Sequence, residues 1–109
     1  MEGLSKAEKL VLGYLSIEYL GRMYLSTPSG EKPEHVIARV IAEDITSNER
    51  VLIKITPKLE EAVSKLKNQW AIEVSGYEAK LTVYGQQLAS GLSKEELARL
   101  KEEAAQGKI

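Results

Sequence analysis

Between Thr56 and Val83 the apolar residues change period with no loop in between. Leu59, Ala62, Val63 and Leu66 fall at the i, i+3, i+4, i+7 spacing of a helix with one buried stripe. Thr56 suits an N-cap, Pro57 fits a first helical position, and Glu60 and Glu61 sit near the positive end of the dipole. Strict alternation then takes over. Trp70, Ile72 and Val74 share one face, Ser75 and Gly76 turn the chain, and Tyr77, Ala79, Leu81 and Val83 return on the same face. The pattern predicts a helix over 57–69 feeding directly into a two-stranded hairpin over 70–84. Gly85 ends the hairpin, and Leu88 belongs to a short helix halted at Gly91.

The flanking segments read as helical. Ser5 with Glu8 three residues on matches a capping box. The run that follows carries apolar residues from Leu10 to Leu25 on more than one face, wider than the stripe of a surface helix. A helix over 5–25 is expected, with one face in the core and the rest covered either as a central buried helix or by a second subunit. Pro28, Gly30 and Pro33 punctuate a loop, and Val36, Ile37, Val40 and Ile41 then recur at helical spacing over 34–44. Residues 46–56 are ambiguous. Ser47 can cap a short helix holding Val51, Leu52 and Ile55, and the β-branched run VLIKI also suits an extended segment, the short helix being favoured. Pro57 disfavours helical geometry at Thr56, so a break is expected there either way. Ser93 and Glu96 form a second capping box before a terminal helix over 94–105 with Leu97, Leu100 and Ala104 inward.

A chain of 109 residues that is 43% hydrophobic fits one domain. The order of elements resembles the winged helix-turn-helix, mainly α with a small β-hairpin wing. The likeness to MarR- and PadR-type regulators, and to small winged-helix proteins of archaea and their viruses, lies in EEAVSKLKNQWAIEVSGYEAKLTVYGQQLA, residues 60–89. In those families a recognition helix leads into a wing strand opening with Ile, and the second strand ends in Leu-Thr with Gly shortly after, as Leu81, Thr82 and Gly85 do here. Two departures stand out. Trp70 occupies a place those families give to Gly, so the helix must end without a glycine cap. The second helix is also set apart from residue 57, with 34–44 or 48–55 as the two registers and the first preferred.

The resemblance implies sequence-specific double-stranded DNA binding by a transcriptional regulator, in a helix-turn-helix over 34–69 and a wing over 70–84. The excess of apolar positions between Leu10 and Leu25 adds the expectation of a homodimer through the N-terminal helix with help from 94–105. A recognition helix reads base edges with polar side chains and holds phosphates with cations. Opposite the Leu59–Leu66 stripe lie Pro57, Glu61, Ser64 and Asn68, flanked by Lys58, Glu60 and Lys65. Lys58 and Lys65 suit phosphate or guanine, Ser64 a range of base edges, and Asn68 adenine. Lys67, Lys54 and Arg50 add phosphate candidates beside Thr56, and Tyr77 and Lys80 are placed at the wing tip.

Charge permits this reading without demanding it. The net charge is −1, but residues 50–80 hold six basic against four acidic side chains, while residues 1–49 hold five against eight. Glu60 and Glu61 oppose phosphate contact and favour the alternative, a winged helix that binds protein within a larger assembly. Enzymatic readings find little support. The chain has no cysteine and one histidine, and its carboxylate pairs are sequence neighbours that diverge by about 100° on a helix. No Gly-rich phosphate loop, metal-ligand spacing or cofactor motif is present. No signal peptide or membrane span is legible, so a cytoplasmic setting is expected.

Overall fold

The computed structural model describes residues 3–25 and 30–109. The elements are α1 (Lys6–Gly13), β1 (Arg22–Tyr24), α2 (Pro33–Ile45), α3 (Glu49–Asn68), β2 (Ile72–Ser75), β3 (Glu78–Leu81), α4 (Val83–Ala89) and α5 (Lys94–Ala105). The fold is mainly helical with a small three-stranded antiparallel sheet in the order β1-β3-β2. The loop expected around Pro28 falls partly outside the described residues.

The N-terminal capping box forms. Ser5 Oγ accepts from Glu8 N at 3.1 Å, and the Glu8 carboxylate accepts from Ser5 N at 3.0 Å. The helix it starts does not reach residue 25. After Gly13 the chain widens into a π-helical turn over Tyr14–Glu18, with Tyr19 N donating to Tyr14 O at 3.0 Å. Leu20 and Gly21 then take left-handed backbone, φ 54° and 95°, and reverse the direction. The physical reason is pairing. Arg22–Tyr24 ladder onto β3, with Met23 opposite Ala79, and Leu25 N donates to Tyr77 O at 2.6 Å. The sheet thus replaces the helical bonds forgone and buries Met23 and Leu25. Leu10, Val11, Leu12 and Leu15 are fully buried within the chain itself. At the turn, the buried Tyr14 hydroxyl donates to Asp44 Oδ2 at 2.7 Å, fastening α1 to the end of α2. Burial and that carboxylate push the phenol's pKa up.

The helix over 34–44 appears as α2, with Pro33 in its first turn as expected. Thr46, Ser47 and Asn48 turn the chain, and Asn48, not Ser47, is the cap, accepting from Arg50 N and Val51 N at 3.0 and 3.3 Å. The break expected before Pro57 is absent. One helix runs from Glu49 to Asn68 with Pro57 inside it, so Thr56 lies in mid-helix and caps nothing. An interior proline costs a helix about 3 kcal/mol. Ile55 is fully buried on the same side as Leu59, Ala62, Val63 and Leu66, and a side chain of its size gains about 1.5–3 kcal/mol from burial. The half-buried Val51 and Leu52 add to that. Pro57 itself faces solvent, where water can satisfy the carbonyl left unbonded one turn earlier. Continuity therefore wins.

The hairpin is shorter than 70–84. Ile72 pairs with Leu81 and Ser75 with Glu78, around a turn at Gly76 and Tyr77. Trp70 and Val83, expected on the apolar face, lie outside the strands and point to solvent. Trp70 is occupied in ending α3, since its N–H bonds Lys67 O and Ala71 N bonds Leu66 O, a Schellman closure. Gly85 does not end the hairpin but sits inside α4. A Cβ there would fall 2.0 Å from the Ala71 carbonyl oxygen, so only glycine allows that approach. The C-terminal helix forms as expected, with Ser93 Oγ accepting from Glu96 N at 3.0 Å.

Candidate nucleic-acid interface

Because α3 starts at Glu49, side chains expected on separate elements share one helix. Arg50, Lys54 and Lys58 stand at i, i+4 and i+8, a row about 12 Å long on the exposed side, and Lys65 continues it along the same edge. Among the described residues no Asp or Glu carboxylate comes within 4.0 Å of the Arg50, Lys54 or Lys58 nitrogens. Lys58 Nζ donates instead to the Ile109 carbonyl, and Gly107 packs beside the Lys54 stem. Lys65 Nζ is 3.5 Å from Glu61, one helical turn back. A cleft of about 310 Å³ opens where this edge meets the start of α1, between Lys6, Glu8, Lys58, Glu61 and Lys65.

The opposite edge of α3 is tied to α2. Lys67 Nζ donates to Glu34 at 2.7 Å, and His35 Nδ1 lies 2.8 Å from Glu60. The Lys67 ammonium holds the Glu34 carboxyl below its ordinary pKa. Glu60, one of the two carboxylates expected to repel phosphates, is therefore turned toward α2, and Lys67 is a neutralised cation rather than a free phosphate contact. Between the two edges, Pro57, Glu61 and Asn68 are exposed, while Ser64 and Thr56 are half-buried.

The sheet adds no charge. Tyr77 stands exposed at the hairpin tip as expected. Lys80 does not; it lies in the middle of β3, opposite Arg22 and Glu73. Its ammonium is 3.3 Å from Glu73, and Arg22 is 3.1 Å from Glu78, so the outer face is balanced. Of the exposed apolar side chains that went unread in the sequence as surface features, Leu20, Ile53 and Trp70 are the most exposed. Ile53 was discoverable from the helical spacing of Arg50 and Lys54 alone, whereas the other two depend on left-handed backbone that no local pattern announces.

The arrangement suits a polyanion better than a small reactant. No group of three or more His, Cys, Asp or Glu that could hold a metal occurs among the described residues, and no helix there is long and apolar enough to cross a membrane. The comparisons with known proteins give no matching family model, no matching curated protein and no matching solved structure.

Proposed function

We propose that this chain is a winged helix-turn-helix protein that binds double-stranded DNA, reading sequence through α3 as a transcriptional regulator does. The row of Arg50, Lys54 and Lys58 on the exposed edge of α3, none of them paired with an Asp or Glu among the described residues, carries the reading. Three further features support it. The order α1, β1, α2, α3, β2, β3 with sheet order β1-β3-β2 is that of a winged helix. A three-residue turn joins α2 to α3. Asn68 is exposed further along α3, on the same line as Arg50, with the amide that pairs with adenine.

Of the apolar run expected to seat a homodimer, the residues of α1 are buried within the chain, while Leu20 and Tyr24 stay exposed. Two-fold pairing is no part of the proposal. Protein contact remains the second reading, favoured by Leu20 and Val83, which are exposed and border one cleft with Leu81 and Gln86.

Fluorescence anisotropy of a labelled mixed-sequence duplex at low and moderate salt tests the proposal. Wild type binds, more weakly as salt rises. Arg50→Glu with Lys54→Glu weakens binding at least about tenfold for every sequence, since attraction to phosphates becomes repulsion. Asn68→Ala instead narrows discrimination between sites by about 1–3 kcal/mol. A wild type that ignores duplex at low salt, or a charge reversal without effect, overturns the DNA reading and leaves the Leu20–Val83 surface as the one to pursue.

A further inference from the structure

The described chain holds two non-glycine residues with left-handed backbone, Leu20 and Trp70, and both project large apolar side chains into solvent. Trp70 is the harder to account for. At φ 64° it fills the position after a helix where glycine or asparagine carries no penalty. Its closing bonds use backbone atoms alone, from Trp70 N to Lys67 O and from Ala71 N to Leu66 O. With 74% of its surface exposed, the indole gains little from burial to offset the backbone cost. The Thr82 hydroxyl also bonds the Trp70 carbonyl, but glycine or asparagine would keep every one of these backbone bonds. A bulky side chain held in this region with little burial of its own to offset the cost marks a place where it is used outside the fold.

Position says by what. Arg50 and Asn68 are 18 residues apart, five whole turns, so they project along one line of α3 about 27 Å long. Trp70 stands two residues beyond that line's end, where the helix gives way to β2. It borders a cleft of about 260 Å³ with Lys67, Asn68, Ile72, Glu73 and Val74. The two charges nearest that cleft are already matched, Glu73 by Lys80 and Lys67 by Glu34. An exposed amide and a flat aromatic ring therefore follow the basic row on one helix. A ligand touching both Arg50 and Trp70 is long, anionic at one end of the contact, and offers flat apolar surface at the other. Duplex DNA has that combination in its phosphates and in the apolar surface of its sugars and groove-lining base edges, such as the thymine methyl.

We infer that the Trp70 indole is itself a DNA contact, packing against sugar or base where the exposed face of α3 meets the hairpin. The inference rests on the DNA reading above and adds to it the residue that anchors the far end of the interface.

Trp70 is the single tryptophan of the chain, so its fluorescence reports on this site alone. Titration of the full chain with unlabelled duplex at low salt should quench or blue-shift the emission and reduce its accessibility to acrylamide. Trp70→Gly and Trp70→Asn should bind at least about fivefold more weakly, what burial of about 40 Å² of apolar ring surface is worth, while Trp70→Phe stays near wild type. Trp70→Gly should at the same time be the more stable protein, its folding equilibrium raised about fivefold or more by relief of the left-handed backbone. An indole unprotected in a complex shown saturated by anisotropy, or full affinity in the Gly and Asn variants, overturns the inference and leaves DNA binding standing. A Trp70→Gly protein less stable than wild type shows that the ring offsets its conformation inside the fold and removes the motive. Failure of the DNA reading is seen separately, as wild type that leaves the labelled duplex unbound, and it takes this inference with it.

Discussion

The two edges of α3 carry similar side chains in opposite circumstances. Along α2, Lys67 meets Glu34 and His35 meets Glu60 at hydrogen-bonding distance. Toward α1 and α5, Arg50, Lys54 and Lys58 have no Asp or Glu carboxylate within 4.0 Å among the described residues. The α2 edge therefore offers a partner little net field, while the other offers Arg50 and Lys54 unpaired and Lys58 held only by the Ile109 oxygen. A near-neutral chain can present a basic surface if its acids are committed elsewhere, and here they are committed to holding α2 against α3. Net charge limits solubility and long-range steering; the pairing pattern decides what a surface binds.

The comparison presumes that a single buried stripe holds α3 in place, so the largest effect comes from removing its centre. Leu59→Ala should cost about 2–5 kcal/mol by chemical denaturation, since Leu59 is fully buried, and a loss under about 1 kcal/mol contradicts the stripe. Next is the test of continuity. With Pro57 inside one helix, Pro57→Ala should stabilise by up to about 3 kcal/mol; at the first position of a separate helix it would bring no gain.

The tied edge should show its own pH dependence. The Glu34 carboxyl titrates below its ordinary 4.5 in the folded protein because Lys67 bonds it. Its contribution is therefore present above about pH 4.5 and is lost as pH falls through the lower, folded value. The loss should stay under about 1 kcal/mol, the range of partly exposed pairs, and Glu34→Gln should abolish that part of the acid limb. Denaturation midpoints between about pH 3 and 6 measure it, and an unchanged limb in the variant contradicts the assignment. The smallest effect sharpens the contrast between edges. Lys54→Gln should leave stability within about 0.5 kcal/mol, whereas Lys67→Gln should lose a few tenths of a kcal/mol. A larger loss from Lys54 means that it has a partner and the row is not free.

Much of this architecture was legible, and the misses share a cause. The Ser5–Glu8 box, α2, the Leu59–Leu66 stripe, the hairpin and α5 all follow from local chemistry within one or two turns. β1 was hidden because Arg22–Tyr24 extends an apolar helical run, and its pairing partner lies over 50 residues away in β3. The short helix favoured before Pro57 forms, but its continuity with the helix after it was hidden, because Pro57 is the strongest local stop and only tertiary burial of Ile55 overrides it. The site suffered from the same error. Arg50, Lys54, Lys58 and Lys65 were each singled out, yet splitting the helix at residue 57 concealed that the first three form a row. The ion pairs of Lys67 and Lys80 were not legible, because their partners, Glu34 and Glu73, come from other elements. Sequence names the charges; only packing says which are spent.

The most direct test of the central claim is the salt dependence of duplex binding for wild type, Lys54→Gln with Lys58→Gln, and Lys67→Gln, measured by anisotropy. Each phosphate contact contributes about 0.9 to the slope of log K against log salt. The untied edge predicts a slope shallower by about 1.8 in the double variant, and one close to wild type for Lys67→Gln. Equal slopes in all three proteins, or the larger change in Lys67→Gln, would contradict the claim that the edge of α3 facing α1 and α5 is the DNA-binding one.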